Sequence, residues 1–288
     1  MSTLHGKVAL ITGAANGIGA ATARGLAARG VRLILVDAAA EPLAAVAAEL
    51  DALGVVADVR DLAAVQAAVD AGVERFGGID LVLANAGIGS FGSVLATDPD
   101  DFRRVLEVNV LGVFHTVRAA LPSVLDRKGY VLVVSSLAAF VPAPTLSPYN
   151  ASKAGVEHFA NTLRVEVAAQ GVAVGCAHMS WIDTPMLGDS KSDMPAFVRL
   201  LAALPSPLGR TFPVTDCADA FVVAFERRRR KVYVPWWVGP LGWLRSMLTT
   251  HVGARMLDRI AAKYLPQIDA EVAALGHSSA ARNAILGP

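Results

Sequence analysis

The stretch Thr12-Gly13-Ala14-Ala15-Asn16-Gly17-Ile18-Gly19 directly follows the apolar run of residues 8–11. Three glycines between a strand and a helix let the backbone turn sharply and approach a pyrophosphate, which then lies at the positive end of the helix. We therefore expect Gly13, Asn16, Gly17, Ile18 and Gly19 to bind a dinucleotide. The alternative is an ordinary strand–helix turn in an alanine-rich chain, since a three-glycine pattern alone is a weak signal.

Beyond this turn, short β-branched runs alternate with alanine-rich stretches that are typical of helices. The predicted strands are residues 7–12, 32–36, 54–57, 81–84, 130–135, 173–177 and 232–234. The predicted helices lie near residues 18–28, 41–50, 62–76, 100–121, 148–170 and 216–227. This order indicates βαβ units, and the nearly continuous apolar character of the strands indicates burial on both faces. The predicted fold is α/β, a doubly wound, Rossmann-like parallel sheet.

Asp37 ends the second predicted strand, where a carboxylate can accept hydrogen bonds from the adenosine ribose hydroxyls. The same negative charge would repel a ribose 2′-phosphate, and neither Asn16 nor Ala38 supplies a cation for one. NAD is therefore favoured over NADP, unless Arg60 or another distant arginine folds back onto the site. The alternative for Asp37 is an N-cap of the helix that begins near residue 41.

Two more turns that follow predicted strands are candidate cofactor contacts. Asp58 and Val59 come after the third strand, where a side chain can lie against the adenine amino group, although a lone Asp could equally cap a helix. Asn85, Ala86 and Gly87 close the fourth strand, and a turn of small residues permits close approach of the backbone to the cofactor ribose.

A second group of residues, Ser136, Tyr149 and Lys153, supplies the chemistry. Tyr149 and Lys153 are four residues apart and share one face of a predicted helix. A free tyrosine titrates near pH ~10, and we expect the lysine ammonium to lower that pKa so that the phenolate can act as a base. Ser136, at the end of the fifth strand, can donate to the substrate oxygen. Taken singly, the three could be a packed tyrosine, a solvated lysine and a strand-end cap.

Together these motifs resemble the short-chain dehydrogenase/reductase family over roughly residues 5–235. The matching motifs are TGAANGIG at 12–19, DV at 58–59, NAG at 85–87, NV at 109–110, SS at 135–136 and YNASK at 149–153. The resemblance implies that Asn109 distorts its helix and holds a water for proton relay. It also implies that Lys153 holds the nicotinamide ribose, that Ile182 and Thr184 contact the nicotinamide carboxamide, and that the helices carrying Asn109 and Tyr149 form a homodimer face.

One departure from the family pattern concerns the turn before Thr184. The family commonly has Pro-Gly there, and this chain reads His178-Met179-Ser180-Trp181. A turn without Pro or Gly must be held in another way, for which packing of Trp181 is the candidate. His178 could touch a substrate or could be a satisfied turn histidine.

Composition limits the other classes of function. The chain has 288 residues, 54% hydrophobic and 18% charged, which suits one large folded domain with a buried core. A net charge of +1 argues against a nucleic-acid binder, and the spacing of the six histidines argues against metal ligation. Cys176 and Cys217 lack a CxxC spacing, and Cys176 lies in an apolar run, as expected of a buried thiol in a reducing cytoplasm. The early first strand leaves no room for a signal peptide, and no charge-free apolar run is long enough to predict a spanning helix.

The second half of the chain carries two further predicted segments. Residues 1–235 are predicted to form the dinucleotide-binding and catalytic domain, with a proline-rich, irregular substrate lid at 184–213, and residues 236–288 a helical C-terminal extension. The lid is poor in polar anchors, which favours a bulky apolar substrate. Its apolar residues are Met186, Met194, Phe197, Leu200 and Leu201.

Residues 227–265 have two interpretations. Five cations at 227–231 precede three tryptophans, at 236, 237 and 243, and an apolar stripe follows at 244, 248, 252, 256, 260 and 264. This pattern is compatible with peripheral contact to an acidic membrane. The alternative is a helix packed over the lid or a partner subunit, with the arginine run as a solvated helix end.

The predicted function is an NAD(H)-dependent oxidoreductase that interconverts a secondary alcohol and a ketone, with a sterol, terpenoid or fatty-acyl derivative as substrate. The alternative, from another class, is a non-catalytic dinucleotide-binding sensor or membrane-surface scaffold that retains the fold.

Overall fold

The computed structural model describes residues 3–248, 250–276 and 278. The main sheet is built from seven parallel strands, which are β1 Val8–Thr12, β2 Arg32–Asp37, β3 Leu53–Val56, β4 Leu81–Ala84, β5 Tyr130–Val134, β6 Ala173–Met179 and β9 Lys231–Val234. Their order is β3-β2-β1-β4-β5-β6-β9. The order reverses between β1 and β4, where a crevice opens at the carboxyl ends of the strands. A separate parallel pair joins β7 Trp181–Ile182 to β8 Thr211–Phe212.

Helices cover both faces of this sheet. They are α1 Gly17–Ala27, α2 Ala40–Glu49, α3 Leu62–Phe76, α4 Pro99–Leu106, α5 Gly112–Asp126, α6 Ser147–Glu166, α7 Pro185–Asp193, α8 Pro195–Ala203, α9 Val214–Arg227, α10 Val238–Trp243, α11 Arg245–Leu248 and α12 His251–Leu275. One apolar cluster joins the sheet to α1, α2 and α9, and a second joins its other face to α3, α4, α5 and α6. The predicted doubly wound α/β fold is thereby confirmed, and a helical C-terminal extension is present.

Burial on both faces holds for the central strands but not for the edges. All five residues of β1 and of β5 are buried. The expectation of burial on both faces is wrong for β3, where half-buried and exposed positions alternate and Val56 is 57% exposed. The physical reason is that β3 is an edge strand, with a sheet neighbour on one side only.

The predicted continuous helix over residues 100–121 is interrupted. A π-helical turn, Glu107–Leu111, separates α4 from α5 and contains Asn109. Such single wide turns insert one extra residue and occur often at functional sites. The distortion that the family resemblance implied at Asn109 is therefore present.

The prediction that residues 184–213 are irregular is wrong for most of the segment, which contains α7 and α8. Pro185 and Pro195 occupy the first turns of these helices. A proline costs nothing at that position because the first N–H groups of a helix have no helical partner. The prolines therefore mark helix starts here, and only residues 204–210 connect without regular structure.

Helix α12 packs on the lid, as the packing alternative expected. Tyr264, Ile268 and Val272 are buried in one apolar cluster with Phe197 and Leu200 of α8. The predicted stripe is correct only in part. Ile260 and Tyr264 pack into this cluster, whereas Leu244 and Met256 are exposed, and the side chains at 248 and 252 lie outside the described residues.

The five cations at 227–231 do not form a freely solvated helix end. They lie where α9 ends and β9 begins, at the amino edge of the sheet, whereas α10 follows the carboxyl end of β9. The Arg228 guanidinium donates to the carbonyl oxygens of Lys128, Gly129 and Gly171, and Lys231 Nζ lies 3.0 Å from Glu157 Oε1. Arg228 and Lys231 thus connect the start of β9 to the turns before β5 and β6 and to α6.

The helical run Pro99–Asp126 is long and apolar enough to cross a membrane by length and composition, with a mean hydropathy of 1.3. Half of the most apolar 18-residue stretch in this run is buried inside the protein, however, because α5 packs on one face of the sheet. Core helices pass the same test, so the run carries no argument for a membrane span.

Candidate active site

A cavity of about 560 Å³ lies at the carboxyl edge of the sheet. Its wall includes all the predicted site residues except Gly19 and Asn109. Those in the wall are Gly13, Asn16, Gly17, Ile18, Asp37, Asp58, Val59, Asn85, Ala86, Gly87, Ser136, Tyr149, Lys153, Ile182 and Thr184. The fold therefore brings the predicted cofactor-binding and catalytic residues to one cavity.

The glycine turn forms a cradle that side chains would fill. Gly13 has a φ of +67°, and a Cβ atom there would lie 2.9 Å from Ala86 Cα. A Cβ at Gly19 would collide with the carbonyl oxygen of Gly13, so Gly19 lets α1 start directly against the turn. The amino end of α1 faces the cavity through Gly17 and Ile18. Backbone that is open at a helix amino terminus fits a pyrophosphate.

Asp37 fixes the glycine turn from the end of β2. Its Oδ2 accepts a hydrogen bond from Ala15 N at 2.9 Å, and its Oδ1 accepts one from Ala39 N at 3.0 Å. The N-cap alternative is wrong, because α2 begins at Ala40 with Ala39 in the cap position. The carboxylate lies in the cavity wall, where its charge disfavours a second anion such as a 2′-phosphate.

Asp58 is held by Arg60. The Asp58 carboxylate accepts hydrogen bonds from Arg60 N at 2.8 Å and from Arg60 Nε at 2.9 Å. This pairing raises the pKa of the Arg60 guanidinium. The capping alternative for Asp58 is wrong, because Asp61 caps α3 through Ala63 N and Ala64 N. Arg60 is thus paired with the same carboxylate that the sequence analysis proposes as a contact for the adenine amino group.

Asn85 joins the end of β4 to the glycine turn. Its Nδ2 donates to the carbonyl oxygens of Thr12 and Gly13, at 3.0 and 3.1 Å. The hydroxyl of Thr12 accepts from Asn85 N at 3.2 Å, a supporting role that the sequence did not single out. A Cβ at Gly87 would lie 3.4 Å from Lys153 Nζ, so the Asn85–Gly87 turn passes close to the catalytic candidates.

Ser136, Tyr149 and Lys153 all line the cavity. Lys153 is only 3% exposed, so its interpretation as a solvated surface lysine is wrong. Its Nζ donates to the carbonyl oxygen of Val134 at 3.1 Å and lies 5.4 Å from the centre of the Tyr149 ring. Ser136 follows β5, and its Oγ accepts from Ala138 N and donates to the carbonyl oxygen of Met179. It therefore also caps a turn, as the strand-end alternative proposed.

Burial governs the protonation of this group. Desolvation lowers the pKa of Lys153 to about 8. It also raises the pKa of Tyr149, while hydrogen bonding with Ser136 acts in the opposite direction. The prediction that Lys153 lowers the pKa of Tyr149 is therefore wrong. Among the groups of the protein, the loss of solvent around the phenol has the largest effect on this pKa, and it raises it.

Asn109 lies behind the cavity wall and acts on its neighbours. It is fully buried, its Oδ1 accepts from Ile88 N at 2.8 Å, and its Nδ2 donates to Ile88 O and Ser152 Oγ, both at 2.9 Å. Ser152 Oγ in turn donates to the carbonyl oxygen of Tyr149 at 2.8 Å. Asn109 thus fixes the start of α6, a contact with Ser152 that no sequence pattern indicated. Its implied role in holding a water stays a prediction.

Thr184 borders the glycine turn. It caps α7, with Oγ1 accepting from Leu187 N at 3.5 Å. A Cβ at Gly17 would lie 3.5 Å from Thr184 Cγ2, so the two predicted contacts face the same part of the cavity. The preceding turn is held through Trp181, as expected. The Trp181 indole donates to Leu208 O at 2.9 Å and stacks edge-on against Phe197.

The rest of the cavity wall is apolar. Of the lid residues proposed from the sequence, Met186, Phe197 and Leu200 line the cavity, whereas Met194 and Leu201 are buried beneath it in the lid. Further apolar residues line it that the sequence did not identify. They include Phe91, Val141, Pro142, Leu146, Leu204, Leu208, Leu257 and Ile260. Two of them come from α12, so the extension completes the wall.

His178 does not line the cavity, which rules out the suggested substrate contact. It is a fully buried residue of β6, not of a turn. Its ring stacks on Phe140 with centres 4.4 Å apart, and its Nε2 lies 3.5 Å from Glu157 Oε1. Burial lowers the pKa of His178, whereas Glu157 has its pKa lowered to about 2 by the hydrogen-bonded His178 and Lys231, against the effect of burial.

A glycine cradle and a Tyr–Lys pair with a buried lysine, at the carboxyl edge of a doubly wound sheet, are the arrangement of dehydrogenases that bind a dinucleotide. Comparison with known proteins agrees. The family model described as short chain dehydrogenase matches residues 7–195. The chain therefore belongs to the short-chain dehydrogenase/reductase family.

Relatives within the family share about a third of the sequence. The chain is 36% identical over 207 residues to (-)-trans-carveol dehydrogenase of Rhodococcus erythropolis, covering 65% of this chain and 75% of that one. It is 34% identical to the mitochondrial borneol dehydrogenase of Lavandula x intermedia, covering 70% and 79%. A solved short-chain dehydrogenase/reductase from Burkholderia phymatum in complex with NAD aligns with a TM-score of 0.76 at 30% identity, covering 86% of this chain and 95% of that one.

Proposed function

We propose that the protein is an NAD(H)-dependent oxidoreductase that interconverts a secondary alcohol and a ketone. The observation that carries the proposal is Lys153, a buried ammonium 5.4 Å from the centre of the Tyr149 ring in a cavity that also reaches the glycine turn. Burying a lysine next to a phenol is costly, and a structural role alone does not account for it.

Each catalytic candidate has one role in this proposal. In the oxidation direction, Tyr149 takes the hydroxyl proton of the alcohol and Ser136 donates a hydrogen bond to the substrate oxygen. Lys153 binds the nicotinamide ribose, while Asn109 is a positioning residue that holds α6 through Ser152. The glycine turn, Asp37 and Lys153 would hold NAD, which would supply the acceptor for the hydride of the carbinol carbon. Ile182 and Thr184 contact its carboxamide.

We propose NAD rather than NADP on charge. Asp37 places a carboxylate in the cavity wall, and Arg60, the nearby guanidinium considered for a 2′-phosphate, is paired with Asp58 at 2.8 Å. A 2′-phosphate at this position would be repelled by the Asp37 carboxylate, and the Arg60 guanidinium that could bind it is already paired with Asp58. The NAD complex of the Burkholderia phymatum relative supports the proposal.

The proposed substrate is a bulky apolar alcohol or ketone, such as a sterol, terpenoid or fatty-acyl derivative. The apolar wall from α8, α12 and the 141–146 loop supports this class, because polar substrates would lose hydrogen bonds to water there. The names of the two terpenoid-alcohol dehydrogenases among the relatives support it too. Turnover confined to small polyols or sugars would exclude it.

The deciding experiment is the substitution Tyr149→Phe. We expect turnover of secondary alcohols to fall by about 10²–10⁴, because proton transfer is lost, while the Kd for NADH stays within roughly twofold. Phe140→Leu, which changes an aromatic residue outside the cavity wall, is the control. Unchanged turnover in Tyr149→Phe would remove the proposed base.

The competing function is a dinucleotide-binding sensor or scaffold without turnover. It also predicts NADH binding, so binding alone does not separate the two. NADH formation from NAD with a panel of secondary alcohols does, since the scaffold predicts none with any alcohol.

We further propose a cytoplasmic protein that contacts an acidic membrane surface at its periphery through residues 227–265, in particular through exposed side chains between Trp236 and Met247. Trp236, Trp243 and Met247 are 78%, 86% and 62% exposed, and Arg245, two residues after Trp243 in the chain, has a side chain that is 57% exposed while one of its nitrogens pairs with Glu157. Tryptophans with neighbouring cations favour the membrane interface. Sedimentation with phosphatidylserine-containing liposomes should be lost in Trp236→Ser/Trp243→Ser and retained in Val94→Ser, an exposed residue elsewhere. Equal sedimentation of both variants would contradict the contact.

The homodimer that the family resemblance implied is proposed through α5 and α6. Phe114 and Val165 on these helices are 41% and 66% exposed, and Leu111 before them is 48% exposed. Light scattering after gel filtration should give twice the chain mass. Val165→Glu should yield monomer, whereas Leu95→Glu, on an exposed loop, should not.

A further inference from the structure

Helix α12 lies outside the region that the family model matches, and two of its side chains nevertheless line the cavity. That region ends at residue 195, so membership of the family assigns α12 no role. Leu257 and Ile260 both belong to the cavity wall. Leu257 is buried, whereas Met256 and Asp258 on either side of it are exposed. Residues three apart share one face of a helix, and this face of α12 is turned towards the cavity.

The same face of α12 packs beside the proposed catalytic tyrosine. Ile260 and Tyr149 both pack against the apolar cluster that contains Phe197 and Leu200 of α8. Ala14 of the glycine turn belongs to a separate cluster. Ile260 therefore borders the substrate side of the cavity and not the glycine turn.

Hydrogen bonds fix α12 against two walls of the cavity. Asp269 Oδ1 accepts from Ser93 N, in the loop after β4, at 2.7 Å. One turn further along, the Glu271 carboxylate accepts from Ala196 N at the start of α8, at 2.9 and 3.0 Å. Helix α12 thus bridges the loop and the lid, and its cavity face is preorganised.

The two walls that α12 bridges also contact each other directly. Phe91 of the loop and Phe197 of α8 both line the cavity, and their rings meet edge-on with centres 4.9 Å apart. Trp181 packs on Phe197 with ring centres 5.5 Å apart. These aromatic contacts close the gap between the loop and α8 at this point, and α12 lies beside them.

We propose that Leu257 and Ile260 are specificity-determining residues, which form an end wall of the cavity on its substrate side and limit the length of the substrate. The proposal rests on the proposed function and narrows its substrate class. A compact apolar ring alcohol fits in front of α12, whereas a sterol or a long fatty-acyl chain would have to displace the helix. Displacement would break the two hydrogen bonds of α12 and expose Tyr264 and Ile268, which are buried against α8.

The test measures the length of the cavity with 2-butanol, 2-hexanol, 2-octanol, 2-decanol and 2-dodecanol. We expect kcat/KM of the wild type to rise about fourfold for each buried methylene until the chain meets α12, and then to fall. The maximum should move to longer alcohols in Leu257→Ala and Ile260→Ala, and to shorter ones in Ile260→Phe. A loss of stability common to Ile260→Ala and Ile260→Phe does not produce opposite shifts. Met256→Ala, at an exposed neighbour outside the cavity wall, is the matched control and should keep the wild-type maximum.

Two results would overturn the proposal. A maximum at the same alcohol in the wild type and in all variants at 257 and 260, even with uniformly lower kcat/KM, would assign both residues to packing of the lid. A wild-type kcat/KM that still rises at 2-dodecanol would mean that the chain passes α12.

Failure of the proposed function gives a different result, because the wild type then forms no NADH with any of these alcohols. The length dependence is in that case read from the thermal shifts that the alcohols produce in the NADH complex. The alcohol with the largest shift should again be longer in Ile260→Ala and shorter in Ile260→Phe, and an unchanged order would overturn the end wall by itself.

Discussion

The carboxylate of Glu271, near the end of α12, accepts a hydrogen bond from the backbone N–H of Ala196 in the first turn of α8, with oxygen distances of 2.9 and 3.0 Å. A negative group at the amino end of a helix satisfies a free N–H and interacts favourably with the helix dipole. Arg199 of α8 lies 3.6 Å from the same carboxylate. The C-terminal extension therefore caps the helix that forms one wall of the cavity.

Removing this cap should loosen α8. We expect Glu271→Ala to lower the free energy of unfolding by roughly 0.5–2 kcal/mol, as other helix caps do. It should raise KM for a bulky alcohol while leaving the Kd for NADH unchanged, because α8 lies at the substrate side of the cavity. Glu74→Ala, on the exposed face of α3, is the control. Equal effects of both substitutions would contradict a specific cap.

We expect Lys153 to lower the free energy of unfolding of the protein, although turnover requires this residue. Its folded pKa of about 8 lies below its ordinary value of 10.5, so the unfolded chain holds the proton more tightly. We expect Lys153→Met to raise the free energy of unfolding at pH 7 by about 1–3 kcal/mol, after the lost hydrogen bond to Val134 is allowed for, and to abolish turnover. The stability gain is full below pH 8 and shrinks towards pH 10.5. Urea unfolding at pH 7 and pH 10 measures it, and a destabilised variant at pH 7 would refute the argument.

Glu157 should stabilise the fold only when it is ionised. Its folded pKa of about 2 lies below its ordinary value of 4.5, and Lys231 and Arg245 contact its two oxygens at 3.0 and 3.2 Å. We expect Glu157→Gln to lose about 1.5–3 kcal/mol at pH 7, the range for hydrogen bonds to a charged group. The stabilisation is complete above pH 4.5 and declines as the pH falls towards 2, so the difference between the two proteins in urea unfolding should be clearly smaller at pH 3 than at pH 7. A pH-independent difference would point to packing instead.

Asp37 should set the choice between the two dinucleotides. Asp37→Asn keeps an oxygen that can accept from Ala15 N but removes the charge. We expect the ratio of kcat/KM for NAD over NADP to fall about tenfold, with a smaller loss for NAD itself. Asp61→Asn, at a helix cap outside the cavity wall, should leave the ratio unchanged. An unchanged ratio in Asp37→Asn would remove this carboxylate from the ribose contact.

Local patterns predicted the parts of the site that depend on neighbouring residues. The TGAANGIG turn, the strands on either side of it and the four-residue spacing of Tyr149 and Lys153 follow from backbone sterics and helix periodicity. Of these residues, Gly13, Asn16, Gly17, Ile18, Tyr149 and Lys153 line the cavity. The prolines of the lid predict irregular backbone, whereas Pro185 and Pro195 begin helices. A proline can end a helix or begin one, and the sequence alone does not distinguish the two.

What the sequence by itself determined is the doubly wound sheet, the family, and the identity of the groups that meet at the carboxyl edge. Only the tertiary structure decided how those groups behave. The pKa of Tyr149 rises because solvent is excluded, Arg60 is paired with Asp58, and α12 covers the lid. The physical reason is that the two kinds of interaction act over different distances along the chain. Turns and periodicity act over a few residues, whereas burial and charge depend on surfaces that come from distant parts of the chain.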